Sequence, residues 1–126
     1  MSRAAVSMFA FAVYLFALGL TLLVTPNVLL GIFGFEPTSE VWVRIVGMLI
    51  VFLGYYYLSA ARGEVTPFMR WSVHARPFVI VFFAVFVALG WAKPQLILFG
   101  AVDLVGAIWT YLGLRAGATA AGVHFR

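Results

Sequence analysis

Four long apolar stretches, each bounded by charge, proline or glycine, set the layout of the chain. The first, Ala4 to Val24, carries no charge, and as a helix it is about 31 Å long, enough to cross the hydrocarbon core of a bilayer. A secretory signal has a shorter apolar region and a small-residue cleavage site, so this stretch is expected to be a retained helix. Thr25 and Pro26 end it. In the connection Asn27 to Glu40, the run Val28 to Phe35 is apolar but too short to span. It predicts a segment that lies in the interface or dips back into the protein. Pro37-Thr38-Ser39-Glu40 reads as a helix start, with Thr38 or Ser39 as the cap and Glu40 at the positive end of the helix dipole.

The second stretch, Val41 to Ala61, holds one charge, Arg44, and closes at Arg62-Gly63, a cation at the negative helix end followed by glycine. Glu64 to Arg76 is expected to connect it to a third helix. Pro77 suits a first turn, and Ser72 to Arg76 extend that turn backwards, with Arg76 snorkelling to the interface. Ala92-Lys93-Pro94 turns the chain into the fourth stretch, which holds one charge, Asp103. The predicted helices are therefore about 4–24, 41–61, 72–91 and 95–114, followed by a Gly/Ala-rich tail from Arg115 to Arg126 that is expected to be mobile.

Composition makes these stretches membrane spans. The chain is 65% hydrophobic and 10% charged, with a mean hydropathy of +1.11, whereas a soluble domain carries about 25% charged residues. Eight basic and four acidic side chains cannot form a polar skin around 126 residues, so most of the surface must meet lipid. The expected fold is an all-α polytopic membrane protein, a single four-helix transmembrane bundle. The basic residues are too dispersed for a nucleic-acid surface and read better as orientation signals. Arg3, Arg62, Arg70, Arg76, Arg115 and Arg126 lie on one side, and Lys93 lies on the other with Arg44 just inside a helix. This places both termini and the middle connection in the cytoplasm of a cell with an inner membrane. Tyr55-Tyr56-Tyr57 and Trp71 then form an inner aromatic belt, and Trp42 and Trp91 an outer one.

Few residues could carry chemistry. The absence of cysteine excludes disulfides, thiol catalysis and thiolate metal sites. No Gly-rich phosphate loop, Ser-His-Asp set or metal-ligand cluster is present. His74 and His124 lie in connecting or tail sequence, unlike the facing histidines of a haem bundle, so no haem, flavin or metal is expected. Small multidrug exporters need an acidic residue in the first helix, and small fluoride channels need an intramembrane asparagine. Here the first helix has no acid and the sole Asn is Asn27. Trp109, deep in the fourth stretch, reads as packing.

Arg44 and Asp103 remain, because an ionisable residue within a membrane helix is a functional candidate by default. Arg44, Gly47, Val51, Gly54, Leu58 and Ala61 recur at helical spacing, as do Gly100, Asp103, Gly106, Thr110, Gly113 and Gly117. Both charges thus sit on small-residue stripes that pack against other helices. Measured from Arg62 and Arg115, their depths differ by about 9 Å, within reach of the two side chains or one bridging water. The expectation is an Arg44–Asp103 pair near Thr110, either structural or part of a ligand site. Arg44-Ile45-Val46-Gly47 also parallels Asp103-Leu104-Val105-Gly106, which suggests an internal repeat of two helices.

The Thr25-Pro26 break with its apolar Leu29 to Phe35 loop, the Trp42-x-Arg44-x-x-Gly47 start of the second helix, and Asp103-x-x-Gly106-Ala107 resemble the small four-helix bacterial membrane proteins grouped as DoxX-like. The resemblance implies the four-helix fold. DoxX proteins proper are linked to terminal oxidases and thiol redox systems, and this chain has no cysteine for the thiol part. The sequence favours a non-catalytic membrane protein that packs as a homo-oligomer or as an accessory subunit of a larger membrane complex. The alternative is a binder or carrier of a small lipophilic or anionic ligand at Arg44, Asp103 and Thr110. An enzyme ranks third, for want of a nucleophile–base set.

Overall fold

The computed structural model describes residues 1–120. Helix α1 spans Arg3–Val24, α2 Pro26–Ile32, α3 Val41–Arg62, α4 Thr66–Ala75, α5 Pro77–Ala88 and α6 Leu96–Ala120. Helices α4 and α5 run end to end through Arg76. Counted as one span, Thr66–Ala88, they join α1, α3 and α6 as four helices long and apolar enough to cross a membrane. The fold is the all-helical bundle expected from hydropathy, the architecture of a multi-pass membrane protein.

Two helix pairs build the bundle. Helix α3 packs along α1, and α5 packs along α6. Helices α1 and α6 then meet in the middle, with α4 also against α6. Lipid gives little hydrophobic drive to bring helices together, so close backbone approach has to supply the attraction. The α1–α3 contact depends on Gly19 and Gly47. A Cβ on Gly47 would lie 2.7 Å from the Leu23 nitrogen and 2.8 Å from the Gly19 carbonyl. On α6, a Cβ at Gly100 would meet the Ile80 backbone at 2.7 Å, and one at Gly113 would meet Ala4. The small-residue stripes therefore face inward within one chain.

Several boundaries differ from the sequence reading. The third span begins at Thr66 rather than near residue 72, and opens with a proline in its first turn. Helix α4 buries Met69 and Ser72 while Arg70, Trp71 and His74 stay exposed. Polar positions therefore interrupt its apolar ones at every turn, and in a hydropathy profile it resembles a loop. Pro77 does not start this span. It interrupts it, because proline cannot donate the backbone bond that would continue the ladder. The span stops at Ala88, short of the expected Trp91. Gly90 there takes φ +77 and the Trp91 N–H bonds the Phe86 carbonyl at 2.9 Å, a glycine C-terminal stop. Helix α6 continues past Leu114 to Ala120, which removes Arg115 to Ala120 from the expected mobile tail. His124 and Arg126 lie outside the described residues.

The apolar connection does turn back into the protein. Part of it forms α2, and Phe33 is buried with its ring centroid 3.8 Å from that of Phe99. Helix α3 starts at Val41 as expected, but its cap is Glu40, with no side-chain cap bond. Thr38 instead accepts the Glu40 N–H at 3.1 Å, and Asn27 accepts the Thr38 N–H at 2.8 Å.

The opposite end is closed by a clasp. After α3, the left-handed residue is Glu64 (φ +51), not Gly63. A non-glycine residue there costs about 1 kcal/mol or more. Its carboxylate is held by the Ser2 N–H at 2.7 Å and the Ser2 hydroxyl at 2.8 Å. The same hydroxyl accepts the Ala5 N–H and caps α1. These bonds hold the Glu64 carboxyl below its ordinary pKa of 4.5. A group with a depressed folded-state pKa contributes stability above its unfolded value and loses it as pH falls through the folded one. The midpoint of thermal unfolding in detergent should therefore fall as pH is lowered below about 4.5, and Glu64→Gln should remove that part of the acid sensitivity. An unchanged acid profile in the variant would discount the clasp. Gly47→Ala should separate α1 from α3 and cost about 1–3 kcal/mol, because backbone atoms on both sides cannot move aside. Gly31→Ala, with nothing within 4 Å, should be neutral or slightly stabilising.

Candidate functional site

The polar centre of the bundle is Arg76. Its position follows from the Thr66–Ala88 span, in which residue 76 lies midway, at the junction of α4 and α5, instead of at one end. The side chain is only 3% exposed. Its Nη2 donates to the Thr110 hydroxyl at 2.7 Å and to the Ser72 hydroxyl at 3.2 Å, with Met8 Sδ at 3.8 Å, and its Nε donates to the Ser72 carbonyl at 3.4 Å. The guanidinium carbon sits 4.8 Å from the Phe11 ring centroid and 5.5 Å from that of Tyr57, within cation–π range. Every span thus contributes a contact: Met8 and Phe11 from α1, Tyr57 from α3, Ser72 from α4, Thr110 from α6.

Further hydroxyls extend this centre. Ser7 and Thr110 are both fully buried and 2.6 Å apart. Ser7 also lies 2.6 Å from the Ala4 carbonyl, and Thr110 3.0 Å from the Gly106 carbonyl. Two hydroxyl protons serve three such links, so only two can be donated at once. Arg76 donates into the same Thr110 oxygen and helps fix which proton points where. Gly106 makes room for the guanidinium: a Cβ there would lie 3.0 Å from Arg76 Nη1. That Nη1 and the Tyr14 hydroxyl are both shielded from solvent and have no hydrogen-bond partner among the described residues.

Asp103, one turn from Gly106 on α6, is partly buried, and Arg76 is the cation whose charge acts on it. Asp103 borders a cavity of about 350 Å³. Helix α1 contributes Tyr14, Leu18 and Leu22 to the wall, and α6 contributes Phe99. Ile50 and Leu53 of α3 face Val79 and Phe83 of α5 across it, and Leu29, Leu30 and Phe33 cover one end. Helices α3 and α5 pack on different partners, α1 and α6, and the cavity occupies the space left between them. Asp103 is the sole charged wall residue among those described.

Arg44 is elsewhere. It is exposed, and its Nη1 donates to the carbonyls of Leu23 at 2.5 Å and Val24 at 3.2 Å. A cation there neutralises the negative end of α1 and satisfies carbonyls that the helix leaves open. Of the expected set, Asp103 and Thr110 belong to the interior around Arg76, whereas Arg44 caps α1. In the sequence Arg76 reads as interfacial because it precedes a proline and has polar neighbours. One signal points the other way: at helical spacing it falls on the same stripe as Met69 and Ser72. Tyr57 likewise leaves the expected interfacial belt. It packs edge-on to Phe68 and beside Phe11, while Tyr55 and Tyr56 stay exposed. Trp109 is on the surface at 45% exposure. The glycines of the two parallel blocks act differently, Gly47 against backbone and Gly106 against a side chain.

No family model matches the chain, and no curated protein or solved structure matches it. Among the described residues no group of three or more His, Asp or Glu converges on a point that could hold a metal ion.

Arg76 and Asp103 act on each other through their charges without a direct hydrogen bond, so removing one leaves the other less compensated, at a cost of at most the roughly 3–5 kcal/mol of a broken buried ion pair in soluble proteins. Arg76→Leu and Asp103→Leu should each sharply lower the yield of folded, monodisperse protein, and the double variant should recover part of it. Arg44→Leu combined with Asp103→Leu should be additive, since the two do not share a partner. Additivity for Arg76 with Asp103 would break the proposed coupling.

Proposed function

We propose that this protein holds a small lipophilic molecule within the membrane, in the cavity between α3 and α5, with the molecule's polar end at Asp103. The cavity supports this reading best. It is apolar apart from one carboxylate, and at about 350 Å³ it lies at the small end of the roughly 300–1,000 Å³ range of ligand pockets. It suits one small lipophile better than a two-chain phospholipid. Arg76 is the electrostatic counterweight that keeps a carboxylate tolerable in this setting. The role is binding or carriage, without a chemical step. The chain is of the DoxX-like kind and resides in an inner membrane with both termini cytoplasmic. The arginine count still supports that orientation with Arg76 removed from it, because Arg3, Arg62, Arg70, Arg115 and Arg126 remain opposite Lys93.

A packing role in a homo-oligomer or larger complex has one observation of its own. Helix α5 has no buried residue, and Phe78 and Phe82 are about 60% exposed, which leaves that face to lipid or another chain. It does not account for the cavity, and so ranks second.

Filling the space tests the first reading. A saturable site for tritiated decane is expected in nanodiscs, at one molecule per chain, and Ile50→Trp should abolish it without loss of thermal stability. Equal binding by the filled variant would move the site elsewhere. A fluorescent protein fused at the C-terminus should glow, and a fused periplasmic phosphatase should be silent. The reverse pattern would invert the orientation.

A further inference from the structure

One end of the bundle combines an excess of positive charge with an open apolar groove. Arg3 begins α1, Arg62 ends α3, and Arg70 lies one turn into α4. Arg115 follows Gly113, the point where α6 meets Ala4. Among the described residues Glu64 is the sole acid at this end, and Ser2 engages both of its oxygens. Arg62 is exposed, and its guanidinium has no partner among the described residues. The same residue lines a groove of about 500 Å³ between α1 and α3. Leu58 lies one turn deeper along α3, and Phe9, Val13 and Phe16 follow at successive turns of α1. From Phe9 to Phe16 the groove runs about 10 Å along the helix, with buried Ala12 at its floor. It shares no wall residue with the cavity at Asp103.

We propose that this groove is a site for a phospholipid of net negative charge, with its phosphate on Arg62 and one acyl chain along Phe9, Val13 and Phe16. Arg62 is the last residue of its span, so it stands at the level where lipid phosphates lie, and the groove leads from there toward the bilayer centre. A guanidinium forks onto two phosphate oxygens, and this one has its donors unused. Phe9 and Val13 are exposed and offer an acyl chain a surface along its length. Four arginines against one acid favour an anionic head at this end. A zwitterionic head would bring a further cation among them. A bare hydrocarbon would fill the groove and leave Arg62 unpaired, and a free phosphate would leave the groove empty.

The test uses the full chain, stripped of lipid in detergent, with native mass spectrometry counting the lipids bound as phosphatidylglycerol or phosphatidylcholine is titrated in. The first phosphatidylglycerol should bind at about a fivefold lower concentration than the first phosphatidylcholine. Arg62→Gln should erase most of that preference. Arg70→Gln removes the same charge from the same end but lies outside the groove, and it should leave the preference intact. Val13→Trp fills the groove from an exposed position, so it should weaken both lipids several-fold without lowering the midpoint of thermal unfolding. Glycerol 3-phosphate, a head without chains, should not compete. If the two lipids bind alike, or Arg70→Gln matters as much as Arg62→Gln, the attraction is not centred on Arg62 and the site falls. It falls equally if Val13→Trp changes nothing, or if glycerol 3-phosphate competes as well as the lipid, because no chain then lies in the groove.

Discussion

A guanidinium in hydrocarbon has to find its hydrogen-bond partners inside the protein, and that requirement organises this bundle. Arg76 lies midway along its span and is cut off from solvent, so the chain surrounds it with two hydroxyls, a backbone carbonyl, a thioether and two aromatic faces. These partners come from all four spans, and the cation therefore fixes their relative height and rotation. A purely apolar interior would let helices of this kind slide with little penalty, because lipid solvates Leu and Phe as well as a neighbouring helix does. Buried polar groups supply the register that hydrophobicity cannot. The cost is visible too: Nη1 has no partner among the described residues.

Hydropathy makes most of the architecture legible in the sequence. The limits of α1 and α3 follow from uninterrupted apolar runs closed by Thr25-Pro26 and Arg62-Gly63, and the structure keeps both to within a residue or so. The third span is half hidden. Met69 and Ser72 face inward while Arg70, Trp71 and His74 face outward, so α4 presents no continuous apolar run. A proline can begin a helix or bend one, and only the packing of what precedes it separates the two cases.

The polar centre is harder to read, because a sequence states that a charge exists but not which way it points. Arg44 and Arg76 carry the same group, each near a helix boundary in the apparent pattern. Arg44 is close enough to the end of α1 to find open carbonyls, whereas Arg76 faces Gly106 and Thr110 on a helix remote in sequence. Asp103 and Thr110 are recognisable by sharing one stripe of α6. Their partner is not, since it depends on α4 lying against α6. The same dependence separates Tyr57 from its neighbours: three adjacent tyrosines are equivalent in composition, and only one points at the cation.

The close fit of Arg76 against Gly106 links two positions that are distant along the chain. A Cβ at Gly106 would lie 3.0 Å from Arg76 Nη1 and 3.2 Å from the Phe11 ring, so the two positions constrain each other. Alanine at position 106 would press on the cation, and a short residue at 76 would leave a void beside Gly106 and a lone carboxylate near it. Evolutionary drift at these sites should therefore be concerted. Related chains that keep the arginine should keep the glycine, and those that replace the arginine with an apolar residue should be released from glycine at 106 and from aspartate at 103. Such a pattern of joint substitution would mark out the chains that share this interior from those that share only four greasy helices.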